Sequence, residues 1–290
     1  MAKSKLILLE GVPGSGKTTA GLHLQTFLEH RGFAVQFWCE GNFDHPADFE
    51  GVARLGESDY QHFLQRYPGL TELFREQLTI KDADYLLKYR KLQHLHPQEI
   101  SQALVDELSQ FDVYDGLPMD EYCRLALDRW HDFQQTAENS DEITLLECCV
   151  LQNPFTVMLA RHNADPQIAL QHIMKITEII RSLNPLVIYL SPRNARNALE
   201  HVRLERSKEW VDFVIWYLTE QAYGKAHRLN GYEGVIQFYE MRQKLELEIL
   251  KNLPIRSLVI EHAGNEWERC DQEIAKSAGA IVDERYYPLD

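Results

Sequence analysis

Apolar residues along this chain are arranged in two ways: short runs, and longer stretches in which they return every three or four positions. The run KLILL (5–9) suits a buried parallel strand. It is followed by TTAGLHLQTFLEHRG (18–32), a helix with Leu24, Phe27 and Leu28 at helical spacing and Gly32 as its stop. FAVQFWCEGN (33–42) reads as a second strand ending at Glu40, ITLLECCV (143–150) as a third ending at Glu147 or shortly after, LVIYLSP (186–192) as a fourth and IRSLVIEH (255–262) as a fifth. Between the third and fourth, Asp165 and Pro166 form an N-cap and first-turn pair for a helix carrying Ala169, Ile173, Ile176, Ile180 and Leu183. A last helix is expected from Glu266 to Ala278, capped by Asn265. Strands alternating with helices predict an α/β fold, a five-stranded parallel sheet with helices on both faces.

About a hundred residues separate the second and third strands, and their patterning is helical. HPQEISQALVDELSQF (96–111) offers a first-turn proline and Leu104, Leu108 and Phe111 on one face; PMDEYCRLALDRWHDFQQTAEN (118–139) places Tyr122, Leu125 and Phe133 along another helix. The expected organisation is a core of residues 1–42 and 141–290, a helical insertion at 43–140, and a helical lid at about 192–210.

Composition changes this picture little: 44% hydrophobic and 26% charged residues describe an ordinary folded domain. Charge narrows it more. A net charge of −14 disfavours a nucleic-acid surface, which needs a basic stripe. No apolar run approaches the roughly 18 residues of a membrane span, and MAKSKLILLEG has too short an apolar stretch for a signal peptide, so no membrane partner is expected and the expected location is cytoplasmic. Five cysteines, two adjacent at Cys148 and Cys149, form no disulfide framework; in a strand those two point to opposite faces and read as small core residues.

The chemistry concentrates at the first strand–helix junction. Gly11, Gly16, Lys17 and Thr18 satisfy G-x-x-x-x-G-K-[ST], with Pro13, Gly14 and Ser15 inside the loop. Glycines let backbone N–H groups converge on an anion at a helix N-terminus. Lys17 would reach the β- and γ-phosphates, Thr18 would ligate magnesium, and Thr19 would add a contact to the α-phosphate. The chain has no N-K-x-D guanine-reading tetrapeptide and no L-S-G-G-Q-like signature, which sets aside GTPase switches and transporter ATPases. With Glu10 just before Gly11, the opening stretch resembles the thymidylate kinase-like group of P-loop nucleoside and nucleotide kinases. That resemblance implies a phosphoryl-transfer fold and the use of ATP and Mg²⁺. Where thymidylate kinases carry R-E-P-G-G and D-R segments, this chain has FWCEGNFDHPADFE (37–50) and LLECCVLQNP (145–154), so the acceptor stays open.

Ligands sit beyond the carboxyl ends of strands in such sheets, which makes Glu40 the first candidate base and Asp44 the alternative. Glu147, at strand depth, is the candidate for magnesium or acceptor binding; Gln152 and Asn153 follow as candidate acceptor contacts, with turn formation before Pro154 an equal reading of Asn153. The segment SPRNARNALEHVRLERSKEW (191–210) places Arg193, Arg196, Arg203 and Arg206 on one helical flank, with Arg203 and Arg206 as the lid cations for a triphosphate in transfer; a solvated face paired to Glu200, Glu205 and Glu209 is the alternative. His94 and His96 lack metal-site spacing and read as surface residues. Trp210, Phe213, Val214 and Tyr217 read as packing.

The functional expectation is an ATP-dependent small-molecule kinase in which residues 43–140 bind the acceptor. A nucleotide-dependent regulatory ATPase binding a protein partner is the alternative, and polynucleotide end phosphorylation a lesser one. A homodimer is left open.

Overall fold

The computed structural model describes residues 3–264 and 266–282; the Asn265 cap lies outside them. Among the described residues there are eight strands: β1 (Leu6–Gly11), β2 (Val35–Trp38), β3 (Ala53–Leu55), β4 (Leu78–Lys81), β5 (Asp84–Leu87), β6 (Ile143–Glu147), β7 (Leu186–Pro192) and β8 (Arg256–His262). Five form one sheet in the order β2-β6-β1-β7-β8, every neighbouring pair parallel.

The parallel order follows from the helices that separate these strands in sequence, since parallel neighbours need long crossovers. Leu8 on the central strand faces Leu146 on one side and Val187 on the other. Ile7 and Leu9 pack with Leu24 and Leu28 of the Lys17–Glu29 helix and with Ile274 and Ala278 of the Trp267–Val282 helix. Leu6 and Leu8, on the opposite face of β1, are also fully buried. A strand buried on both faces explains the unbroken apolar run at its sequence position.

The described residues fall into two compact units, Met1–Glu40 with Leu127–Asp290, and Gly41–Ala126. The first holds the five-stranded sheet. The second is not all-helical: β3, β5 and β4 form a small antiparallel sheet around which Phe74, Leu87, Leu92, Leu104 and Leu108 make a separate core. Its β4–β5 hairpin turns at Asp82, in the left-handed region at φ 53°, where a short polar side chain is tolerated. The Pro97 start expected for the next helix gives way to Gln102–Ser109, because the Ser101 side chain accepts the Leu104 N–H and caps there. The boundary between units falls within the Met119–Glu138 helix, at 126, where the sequence pattern placed it at 140.

Elsewhere the elements differ from expectation mainly at their ends. β2 stops at Trp38, so Glu40 lies in the following loop, whereas β6 stops at Glu147, an end expected for it. Asp165 caps the Pro166–Ile179 helix by accepting the Gln167 N–H. Among the described residues, no helix is long and apolar enough to cross a membrane.

Ile188 is fully buried in the centre of this sheet. Ile188→Ala is expected to lower unfolding stability by about 2–5 kcal/mol, read from the urea midpoint at unchanged slope.

Candidate functional site

The loop between β1 and the Lys17–Glu29 helix is compressed on three sides. Gly11 has φ 143°, and a Cβ there would stand 2.4 Å from the Leu190 carbonyl oxygen. One at Gly14 (φ 77°) would stand 2.6 Å from Cγ2 of Val202, and one at Gly16 (φ 86°) 2.2 Å from the Trp267 ring. No L side chain fits these positions. Gly16 caps the helix without a side-chain acceptor, and the first turn carries no acid, so its N–H groups remain available to an external anion. The Ser15 hydroxyl is buried without a hydrogen-bond partner. An uncapped helix start, an orphaned hydroxyl and a side-chain-free cradle fit a phosphate group.

Lys17 is buried and donates to the carbonyl oxygens of Gly11 (3.1 Å) and Val12 (3.2 Å). Burial opposes its charge, but the acidic groups of Cys148, Glu40 and Glu147 outweigh that and hold its pKa above the ordinary ammonium value. Thr18 Oγ1 donates to Glu147, at 2.9 Å from Oε1 and 3.1 Å from Oε2. Glu147 is the last residue of β6, in register with Leu9. Its carboxyl is pushed up by burial, against the lowering influence of Lys17 and the Thr18 hydrogen bond.

Glu40 joins this cluster. Its backbone N–H donates to Glu147 Oε2 at 3.3 Å, its Oε1 accepts from the Gln152 side-chain amide, and its Oε2 accepts from the Cys148 thiol at 3.2 Å. Cys148 is therefore no strand filler. Because β6 ends one residue earlier, Cys148 turns at φ 67° into the cluster, and burial pushes its thiol well above the usual range. Cys149 is buried, as expected.

Behind these groups lies a second polar layer that sequence reasoning missed. Glu10 is fully buried and accepts the backbone N–H groups of Val150 (2.7 Å), Leu151 (3.1 Å) and Gln152 (3.1 Å). Burial, reinforced by the nearby Glu246, pushes its carboxyl up to about 7, although the three amides pull the other way. Glu246 accepts from the Tyr189 hydroxyl at 2.6 Å and pairs with Arg242, Nε to Oε1 at 3.1 Å, in an alignment that falls short of a hydrogen bond. Arg242 and Glu246 are each 1% exposed. The Arg242 guanidinium also reaches Gln152 Oε1 at 3.5 Å and lies over the Tyr239 ring at 4.8 Å. A signal existed: Val235, Phe238, Arg242, Glu246 and Ile249 form one buried stripe of the Gly231–Leu250 helix, with an ion pair set among its apolar positions.

The remaining expected residues make contacts of their own. Asp44 belongs to the Gly41–Ala126 unit, where Lys88 and Lys91 each approach it to 2.6 Å and their hydrogen bonds lower its carboxyl pKa, making it a poor base. The arginine flank is broken: one helix runs Ala195–Glu205, Arg206 is its C-cap, and the next begins at Lys208 behind a Ser207 cap. Arg203 is exposed, 3.6 Å from Glu200 and over the Tyr232 ring at 4.7 Å; Arg206 is exposed over Trp210 at 5.5 Å. What the Ala195–Glu205 helix brings to the loop is apolar, Val202 and the Ala198 backbone against Gly14. Arg196 pairs with Glu233 and Arg193 with Glu266. Pro13 is half-buried on the loop; Thr19 and His94 are exposed.

Searches against protein-family models and against curated proteins find no match to the chain.

Two outcomes follow from the buried layer. Glu10 titrates near 7 when folded and near 4.5 when unfolded, so the folded protein holds the extra proton between those values. Its contribution to stability is full below about pH 4.5 and is lost, by about 3 kcal/mol, as pH rises through 7. Glu10→Gln is expected to flatten that slope in denaturant melts taken across the range. Arg242→Met leaves Glu246 buried and unpaired and is expected to cost about 3–5 kcal/mol, while adding Glu246→Leu recovers most of it in a double-mutant cycle.

Proposed function

We propose that the protein is an ATP- and magnesium-dependent phosphotransferase of P-loop kinase type, moving the γ-phosphoryl group to a hydroxyl or phosphate of a small-molecule acceptor. The observation that carries this reading is the junction of the glycine loop with the acidic cluster: Lys17 buried beside Glu40 and Glu147, and the Thr18 hydroxyl on the Glu147 carboxylate. Positive charge at the phosphate end and carboxylates opposite it are what phosphoryl transfer requires. The strand order, with β6 and β7 on either side of β1, supports it by placing the loop at the carboxyl ends of adjacent parallel strands.

In this reading the free N–H groups of the Lys17–Glu29 helix and the Ser15 hydroxyl bind phosphate oxygens, and Lys17 neutralises charge on the group in transfer. Thr18 and Glu147 would hold the magnesium ion, which neutralises phosphate charge when bound. Glu40 Oε2 accepts the proton of the acceptor hydroxyl in place of the Cys148 thiol proton, while Gln152 keeps the carboxylate oriented. Arg242, behind Gln152, takes the role of fixed cation that sequence reasoning gave to Arg203 and Arg206. Residues 43–140 are the proposed source of the acceptor-binding elements, and the charge of −14 argues against a nucleic-acid acceptor.

The test is transfer of label from γ-labelled ATP across a panel of nucleosides, nucleotides and other metabolites. Transfer to at least one acceptor is expected, with Lys17→Ala reducing it by at least about 100-fold. Transfer undiminished in that variant, or no magnesium-dependent ATP uptake by calorimetry, refutes the assignment. ATP turnover without any acceptor, together with nucleotide-dependent capture of a protein, would favour a regulatory ATPase instead.

A further inference from the structure

Three ligand atoms of unlike softness meet in the acidic cluster. A carboxylate oxygen of Glu40, one of Glu147 and the Cys148 sulfur all lie within 4.8 Å of one another. Groups outside the trio already orient them. The Gln152 amide occupies Oε1 of Glu40 and leaves Oε2 toward the thiol, while Thr18 holds the Glu147 carboxylate. Outer partners of this kind set the direction of metal-binding side chains.

The second observation is the Cys148 thiol itself, which donates to Glu40 Oε2 at 3.2 Å from the left-handed turn just past β6, so the sulfur and that oxygen already face one another.

We propose that Glu40, Glu147 and Cys148 form a binding site for a thiophilic divalent cation of the zinc class, in competition with a magnesium–nucleotide complex. A thiolate ligand selects zinc, cobalt or cadmium, whereas magnesium takes oxygen ligands in near-octahedral geometry. On binding, the Cys148 S–H bond breaks, a sulfur–metal bond forms and the proton leaves to solvent, with no change of oxidation state. Glu40 Oε2 exchanges its thiol hydrogen bond for the cation. Three protein ligands leave a fourth position open to water or a phosphate oxygen. The cation site stands apart from the nucleotide reading; only the competition rests on it.

The test titrates the full-length, nucleotide-free protein with cobalt(II) and then displaces it with zinc. One equivalent of cobalt is expected to produce a thiolate-to-metal charge-transfer band. Cys148→Ser is expected to abolish the band, Cys39→Ser to retain it, and Glu40→Gln to weaken cobalt binding by at least about 10-fold. No band in the native protein, or a band that survives Cys148→Ser, overturns the proposal. Should Cys148→Ser fail to fold by circular dichroism, the Glu40→Gln affinity decides: weakened binding supports the site and unchanged binding overturns it. A cobalt band that zinc displaces, in a protein that takes up no ATP, would keep the cation site and sink the phosphotransferase reading.

Discussion

Three backbone N–H groups, those of Val150, Leu151 and Gln152, converge on the carboxylate of Glu10, and that convergence shapes the loop-bearing end of the sheet. An isolated buried carboxylate costs several kcal/mol, so the chain after β6 must supply donors. It does so by turning immediately beyond Glu147, which puts Cys148 in the left-handed region and brings three successive amides round to β1. Because the same turn delivers the Gln152 side chain to Glu40, the position of the front carboxylate depends on how the rear one is satisfied. Backbone geometry and site chemistry are one constraint here.

The electrostatics have the same two-layer construction. Glu40 and Glu147 stand with Lys17 in front, and Glu10 and Glu246 with Arg242 behind, joined through Gln152. Loss of hydration on burial raises the carboxyl pKa of Glu10, Glu147 and Glu246, while Lys17 acts against it at Glu147 and Arg242 and Lys17 at Glu246. Solvent-exposed charges act differently. Arg203 and Arg206, on the surface and partnered by Glu200 and by aromatic rings, are screened over about 10 Å. A fixed cation in the interior, Arg242, requires no lid movement to take effect.

What the sequence disclosed was what is local. The five core strands, the Asp165 cap and the glycine loop are each written in a few consecutive residues. The β4–β5 hairpin was hidden because its strands are four residues long and its turn, at Asp82, lacks the glycine that marks such turns. Of the candidate site, Lys17, Thr18, Glu40 and Glu147 could be read because motif spacing and strand ends point to them. Cys148, buried as expected, was not read into the cluster because its left-handed turn just past β6 carries no local sequence mark. Arg242 and Glu246 come from a helix far downstream, and only tertiary packing brings Arg242, 90 residues on, to Gln152. The pairing of Asp44 was hidden for a related reason: its lysine partners, Lys88 and Lys91, lie more than forty residues away in sequence.

The legibility of the glycine loop has a physical cause of its own. At Gly11, Gly14 and Gly16 two demands coincide, since the positive φ that exposes backbone N–H groups also brings the chain against Leu190, Val202 and Trp267. A side chain at any of them would fail twice, once on conformational strain and once on packing against β7, the Ala195–Glu205 helix or the Trp267 indole. The glycines therefore serve the folded core as well as any ligand. The Lys17 and Thr18 side chains are under no such packing demand: a buried ammonium among acids and a hydroxyl on the Glu147 carboxylate contribute little that a smaller apolar pair would not. These two residues, unlike the glycines, are held in the loop by polar side-chain contacts and not by backbone conformation.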